Sequence, residues 1–440
     1  MMTLLPVPAG WITSAPVATN AEAVAAAPAV ATSRTWRRDL LLVLAVAWAA
    51  RLVFILVVPT SAHSDDVNNW VAVAHQLRLG HNPYVTTTFL NWPPLWMCCI
   101  WLIDHVSRAL GISFFLGLRL FLIAVESLLI VALYAFLARV APRDARRVVL
   151  VGISLNPIAI LLVCQHDNFD VIAGLFCFVG VLALTASARA RDAVAWLAGS
   201  LLLGLGVLAK TTPLVLAPLL APGARATRSW LGRGLGAALF LGPVVLGMAV
   251  IYVLAPHAVT ENVIRYRSSS GWFGFTGLVE GFGPARFSKV YYSKDVFPVL
   301  ALAWIVLGTV FMWRRELGER RTILLAGLVL FIVPTLGPGY RPHYAYWWLP
   351  FFVASYPLFD RGWRRALIVF YVVAGLEYVA EYALFPSLGA FLDAWFPSNG
   401  FLARAAHHSG DPKWQTEFRI PFFLACLYVL AEGLRRLRRQ

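Results

Sequence analysis

Two adjacent carboxylates, Asp65 and Asp66, follow the first long apolar segment of the chain. Behind them, apolar residues recur at i, i+1, i+4 and i+7 from Trp70 to Leu77, which predicts an amphipathic helix that ends at Gly80. If the apolar segment crosses a membrane, this helix lies on the bilayer surface with both acids at its start. A carboxylate held there can accept the proton of an incoming hydroxyl group, so both acids are candidates for a catalytic base.

Other ionisable residues occur at the ends of later apolar segments. Charged groups at membrane depth are costly and are usually functional. A carboxylate with basic residues at a lipid–water boundary suits group transfer from a lipid phosphate, because the basic residues would hold the departing phosphate oxygens. The candidates are His166, Asp167, Lys210, the basic stretch 265–294, Arg341 and His343.

Each of these residues also has an ordinary structural interpretation. Two acids after a first membrane span can start a solvated loop or cap a helix. Lys210 can extend its amine to the lipid headgroups, and His166 and Asp167 can form a simple turn. His343, beside a proline and aromatic residues, is typical of a histidine packed at the interface. The functional interpretation depends on all of them lying on one side of the membrane.

The composition predicts a helical membrane protein. Of 440 residues, 60% are hydrophobic and 13% are charged, and apolar runs recur at the length needed to cross a bilayer. The net charge of +15 does not indicate nucleic-acid binding, because the arginines cluster in short loops between apolar runs, as the positive-inside rule predicts. The five cysteines lack metal-ligand spacing. No metal or other cofactor is expected, although a divalent metal is compatible with the site.

Placing the arginine clusters in the cytoplasm predicts an all-α polytopic protein with both termini inside. Residues 1–33 are expected to form a disordered cytoplasmic tail, and 34–440 the membrane domain. Its first outer loop, 59–94, would carry the catalytic residues and the interfacial helix; 257–294 and 385–417 would also lie outside, and 95–110 would be re-entrant or interfacial. About twelve spans are predicted, near 40–58, 114–138, 148–163, 169–185, 193–209, 211–221, 235–254, 296–313, 323–336, 344–359, 366–384 and 420–434.

The order of several short motifs resembles the GT-C superfamily of polytopic glycosyltransferases. The nearest likenesses are the catalytic subunit of the first mannosyltransferase of GPI-anchor synthesis and the mycobacterial phosphatidylinositol-mannoside mannosyltransferases. The motifs are D-x-x-x-[YW], G-x-x-Y, P-P-L, N-P with Q-x-D, K-x-x-P and an aromatic P-G-Y segment. They fall on Asp66 and Trp70; Gly80 and Tyr84; Pro93, Pro94 and Leu95; Asn156, Pro157, Gln165 and Asp167; Lys210 and Pro213; and Pro338, Gly339, Tyr340, Tyr344, Trp348 and Pro350.

The resemblance covers most of 40–360 and implies an inverting glycosyltransferase that moves a sugar, with mannose a candidate, from a polyprenyl-phosphate carrier to a lipid or glycan acceptor. Asp66 would be the catalytic base, with Asp65 in support. The D-x-D motif of the mannosyltransferases is incomplete, because Ser64 replaces its first aspartate. The remaining roles implied are donor-phosphate binding by Lys210, Arg341 and His343, and substrate binding by Trp70, Tyr84, His166 and Asp167.

Two other classes of protein fit parts of the sequence. A membrane transporter or flippase for a lipid-linked or anionic substrate would use acids within spans, and Glu126, Glu377 and Glu381 are placed there. A scaffold subunit without catalysis is the third class. The abundance of Arg and Ala over Lys favours a bacterium with a GC-rich genome, and hence the cytoplasmic membrane with an extracytoplasmic active site.

Overall fold

The computed structural model describes residues 33–57, 65–87, 90–190, 192–227, 229–266, 296–315, 317–337, 341–384 and 412–438, together with Phe275 and Leu278. Residues 1–32 of the predicted tail 1–33 and most of the predicted outer loops 257–294 and 385–417 lie outside these ranges. The expectations for those segments therefore stay predictions.

Every regular element of the described part is helical. Short π-helical segments at Leu150–Ser154 and Thr260–Ile264 and 3-10 segments at Thr212–Leu220, Pro342–Tyr344 and Tyr356–Leu358 join the α-helices. The α-helices are α1 Ser33–Val57, α2 Asp65–Arg78, α3 Pro83–Thr86, α4 Pro94–Ala109, α5 Phe114–Val140, α6 Ala145–Val149, α7 Pro157–Cys164, α8 Asp170–Ala190, α9 Ala193–Ala209, α10 Ala221–Ala226, α11 Trp230–Leu254, α12 Pro256–Val259, α13 Phe297–Arg314, α14 Glu319–Leu336, α15 Ala345–Ser355, α16 Arg361–Leu384 and α17 Pro412–Arg438.

Five of these helices are long and apolar enough to cross a membrane, as expected for a helical membrane protein. They contain Thr35–Val57, Phe114–Val140, Asp170–Ala188, Trp230–Leu254 and Phe297–Arg314. A sixth span is possible if Ala145–Ser154 and Pro157–Cys164, which meet at a bend of 48°, count as one. The predicted number of twelve is not confirmed.

Breaks in the apolar sequence account for part of the difference in span number. The stretch predicted to be a half-helix at 211–221 is a 3-10 helix with Pro218 inside it, and α15 has only 11 residues. Proline lacks the backbone N–H that an α-helix needs, so these segments are short. Such short apolar helices are too brief to span a bilayer unaided.

The amphipathic helix predicted after the two acids is present as α2, 14 residues long. It ends at Arg78, and Gly80 follows in the turn with a φ of +72°, in the left-handed region that favours glycine. Trp70 of α2 is fully buried and meets Trp96 edge-on, with ring centroids 5.3 Å apart. Trp96 in turn stacks on Phe169 at 4.5 Å. These contacts fix α2 against α4 and the start of α8, while its position at a membrane surface stays a prediction.

A buried ion pair ties α1 to α5. The Nε and Nη2 atoms of Arg51 donate to the two carboxylate oxygens of Glu126 over 2.5 and 2.6 Å. Arg51 also donates to the carbonyl oxygens of Ile153 and Ser154, and the hydroxyl of Tyr346 donates to Glu126. Because a buried charge needs partners, this network fixes α15 and the helix break before α7 relative to α1 and α5.

Helices α8 and α15 approach each other closely at Gly174. A Cβ atom placed there would lie 2.4 Å from the carbonyl oxygen of Tyr346, so a larger residue would force the two backbones apart. The helix α8 begins at Asp170 and α15 carries Trp347, and both residues belong to the candidate site described below, so this close contact fixes the two helices relative to each other at the site.

Candidate functional site

The turn between α7 and α8 is rigid because its polar groups are paired. Asp167 has a φ of +53°, which is unusual for a residue other than glycine. Its fully buried carboxylate accepts hydrogen bonds of 3.0 and 3.2 Å from Nε of Arg119. The side chain of Asn168 caps the start of α8 by accepting from the backbone N–H of Asp170. This turn therefore holds His166 and Asp170 in fixed positions on either side of Asp167.

Lys210, directly after α9, forms a buried ion pair with Asp170. Its Nζ atom lies 2.6 Å from Oδ1 of Asp170, whose side chain is fully buried. Three aromatic rings surround the amine, with centroids 5.3 Å away for Phe169, 4.8 Å for Tyr344 and 5.1 Å for Trp347. Aromatic faces attract a cation, so the rings and the carboxylate together fix the ammonium group.

Two histidines connect this ion pair to Asp66. Nε2 of His343 lies 3.7 Å from Oδ2 of Asp170, and the rings of His343 and His166 have centroids 4.7 Å apart. Nε2 of His166 lies 3.8 Å from Oδ2 of Asp66. Lys210, Asp170, His343, His166 and Asp66 thus form one continuous row of ionisable groups from four separate parts of the chain.

Burial and neighbouring charges determine the protonation states of Asp66, near the start of α2, and of His343, just before α15. Burial alone would raise the pKa of the Asp66 carboxyl, but His166 and the positive charges of Lys210 and Arg341 outweigh it, so the pKa lies below its ordinary value. Burial lowers the pKa of the His343 imidazole well below its ordinary value, and Lys210 and Arg341 act in the same direction. At neutral pH Asp66 is therefore ionised and His343 is neutral.

A cavity of about 480 Å³ opens beside this row, a size common for small-molecule sites. Its lining combines polar and apolar residues, together with the rings of Trp92, Tyr344 and Trp347. The polar lining residues include Asp66, Asn91, Asn168, Lys210, Arg341 and His343. The apolar lining residues include Leu214, Val215, Phe297, Ala301, Ile305 and Val333.

The predicted site residues divide into two groups. Asp66, Lys210, Arg341 and His343 line the cavity, and His166 contacts both Asp66 and His343 beside it. The side chain of Asp65 lies outside the described part of the structure.

The other three predicted substrate-binding residues are buried away from the cavity lining. Trp70 belongs to the aromatic contact with Trp96, and Asp167 pairs with Arg119. The hydroxyl of Tyr84 donates to the carbonyl oxygen of Trp92 over 2.7 Å, which orients that lining residue. In this structure all three support residues of the site without lining the cavity themselves.

Sequence reasoning missed Asp170, which pairs with Lys210 and lies 3.7 Å from His343. A signal was available, because an acid in the first turn of an apolar helix is expensive to bury and usually has a partner. The neighbouring Asp167 matched the Q-x-D motif and was therefore predicted to bind substrate, whereas Asp170 was not selected. Which of the two acids meets Lys210 depends on the left-handed turn at Asp167.

No protein-family model matches the chain, and no curated protein matches it at a significant level. The resemblance to the GT-C glycosyltransferases therefore stays a prediction, and the functional argument rests on the geometry of the site.

Proposed function

We propose that the protein is an inverting membrane glycosyltransferase that transfers a sugar from a polyprenyl-phosphate carrier to a lipid or glycan acceptor. The active site would face the extracytoplasmic side of a bacterial cytoplasmic membrane. The observation that carries the proposal is the mixed lining of the cavity, to which an ionised carboxylate, cationic groups and several apolar side chains all contribute. A lipid-linked phosphate sugar has this combination of an anionic, hydroxyl-rich head and a hydrocarbon tail.

Asp66 is the proposed base. Its side chain lines the cavity, is 34% exposed and is ionised at neutral pH, so it is available to accept a proton. The acceptor oxygen forms a bond to the anomeric carbon of the sugar while the bond from that carbon to the phosphate oxygen breaks. The hydroxyl proton passes to Asp66, and polyprenyl phosphate leaves with the electron pair. Attack opposite the leaving group inverts the anomeric centre.

Lys210 and Arg341 are the proposed phosphate partners, since both line the cavity and stabilise the charge that develops on the leaving oxygen. Asp170 and the three rings fix the amine of Lys210, which reduces the side-chain entropy lost on binding. Neutral His343 adds a hydrogen-bonding group without further positive charge. The apolar residues that α13 and α14 contribute to the lining would contact the first part of the hydrocarbon chain.

The transporter alternative is less well supported by the contacts of its intramembrane acids. Glu126 is held by both Arg51 and Tyr346, an arrangement that ties helices together rather than leaving an acid available to a passing ion. Glu377 is buried within α16, and the side chain of Glu381 lies outside the described residues. A scaffold without catalysis does not require a cavity with an ionised carboxylate.

The test uses purified full-length protein, a panel of radiolabelled polyprenyl-phosphate sugars, and membrane lipids from a deletion strain as acceptors. Asp66→Asn keeps the size of the side chain but removes the base, so transfer should fall by at least about a hundredfold while donor binding persists. Asp65→Asn should have a milder effect.

The matched control is Asp144→Asn. Asp144 is exposed, and its side chain does not cap the helix that follows it, so this variant should transfer at the wild-type rate. Wild-type transfer by Asp66→Asn, or a larger loss at Asp65 than at Asp66, would show that the base has been assigned to the wrong carboxylate.

A further inference from the structure

Asp66, His166 and His343 bring three potential metal ligands together from three distant parts of the chain. One ligand atom from each residue can be chosen so that all three lie within 4.8 Å of one another. Nε2 of His166 lies 3.8 Å from Oδ2 of Asp66. Their sequence positions gave no metal-binding pattern, and the cluster forms only because α2, the turn before α8 and the 3-10 segment before α15 meet.

The spacing is near that of ligands around one ion. With bonds of about 2.1 Å, two ligand atoms of one ion are separated by about 3 to 4.2 Å. In the tetrahedral geometry of zinc the separation is about 3.4 Å, so side-chain rotations that bring the outermost pair together by up to about 1.4 Å would complete the set. Two imidazoles with one carboxylate favour zinc and other first-row transition metals, whereas magnesium and calcium favour sites made of oxygen ligands.

Asp170 lies near His343, as the supporting carboxylate of a metal site does, but at a distance longer than a hydrogen bond. A histidine that binds a metal usually donates its second ring N–H to a carboxylate, which fixes the ring and its tautomer. Oδ2 of Asp170 lies 3.7 Å from Nε2 of His343. Nδ1 of His343 is buried and has no hydrogen-bond partner among the described residues. A proton on Nε2 facing Asp170 leaves the lone pair on Nδ1, as a ligand requires.

We propose that Asp66, His166 and His343 form a binding site for one divalent transition-metal ion, with zinc as the probe. Asp66 and His343 line the cavity, so the remaining coordination positions of the ion would face it. The charge of Lys210 is offset by Asp170 at 2.6 Å, which limits its repulsion of the ion. The site stands independently of the proposed reaction.

If the proposed function also holds, the two uses of Asp66 conflict. A carboxylate that coordinates a metal is a weaker base, so bound zinc would inhibit transfer. Chelation would then restore it.

The experiment measures zinc binding by full-length protein in detergent, purified through a tag without histidine and stripped with a chelator. Isothermal titration should give one ion per chain, and Co²⁺ should give visible absorption bands. His166→Asn and His343→Asn should each weaken binding by more than about 10–100-fold, the range that loss of a supporting outer partner alone causes. If a histidine variant does not fold, Asp66→Asn provides the test instead and should also weaken zinc binding.

His81→Asn is the matched control, because His81 is exposed and contacts Gln76 instead of the cluster. It should bind zinc as the wild type does. Absence of zinc binding by the wild type, or unchanged affinity in folded His166→Asn, would overturn the proposal. Zinc binding by the wild type, together with full transfer activity of Asp66→Asn, would retain the metal site and refute the proposed base.

Discussion

The buried pair of Lys210 and Asp170 makes a prediction about stability as well as activity. Replacing Lys210 by Met keeps the length of the side chain but removes the cation that lies 2.6 Å from a fully buried carboxylate. If Lys210 only extended its amine to lipid headgroups, the substitution would have little effect on stability. In this structure it leaves Asp170 as a buried charge without its closest cation.

The size of the effect follows from that burial. The side chain of Lys210 is 16% exposed and that of Asp170 is fully buried, so solvent screens the pair weakly. Removing one partner of a buried ion pair costs about 3–5 kcal/mol of unfolding free energy. In the variant, Asp170 can instead become neutral by binding a proton. Protonating an ordinary aspartate at pH 7 costs about 4 kcal/mol, so this route limits the destabilisation to a similar value.

The assay is a double-mutant cycle on protein in detergent, with unfolding followed by tryptophan fluorescence. Lys210→Met should be strongly destabilised. Lys210→Met combined with Asp170→Asn should recover most of the loss, because it removes both charges. Arg265→Met is the control; it breaks the exposed pair with Glu261 and should cost less than about 1 kcal/mol.

Transfer activity separates the two roles of Lys210. If the amine binds the donor phosphate, the double variant should stay inactive although its fold is restored. Wild-type stability of Lys210→Met, or a double variant no more stable than the single one, would refute the reasoning about the buried pair. Full activity of the double variant would remove Lys210 from the phosphate site.

Two further predictions concern the close helix contact and the membrane topology. Gly174→Ala should lower the free energy of unfolding by about 1–3 kcal/mol and reduce transfer, because the added Cβ meets the carbonyl oxygen of Tyr346. The control is Gly375→Ala, which has open space around it and should be neutral or slightly stabilising in thermal or denaturant unfolding. Equal behaviour of the two variants would count against the contact. Cysteines placed at Ser61 and Ser268 in a cysteine-free background should react with an impermeant maleimide from the extracytoplasmic side, and labelling only from the cytoplasm would reverse the proposed orientation.

The sequence by itself determined the helical membrane class and the local elements of the site. The period of apolar residues after Asp66 predicted α2, and Gly80 predicted its end, because both signals are local. The predicted number of twelve spans is not confirmed among the described residues; hydropathy does not show where 3-10 segments and bends divide an apolar run. The long outer loops stay outside what the structure describes.

Only the tertiary structure decided which of the polar residues act together. Asp66, Lys210 and His343 were chosen from the sequence, and the fold brings them to one cavity. Asp167 was chosen on the same grounds and is instead paired with Arg119, while the unselected Asp170 holds Lys210. A residue's type and its position in a segment fix how costly it is to bury. The partner that offsets the cost comes from a distant helix, and only packing brings the two together.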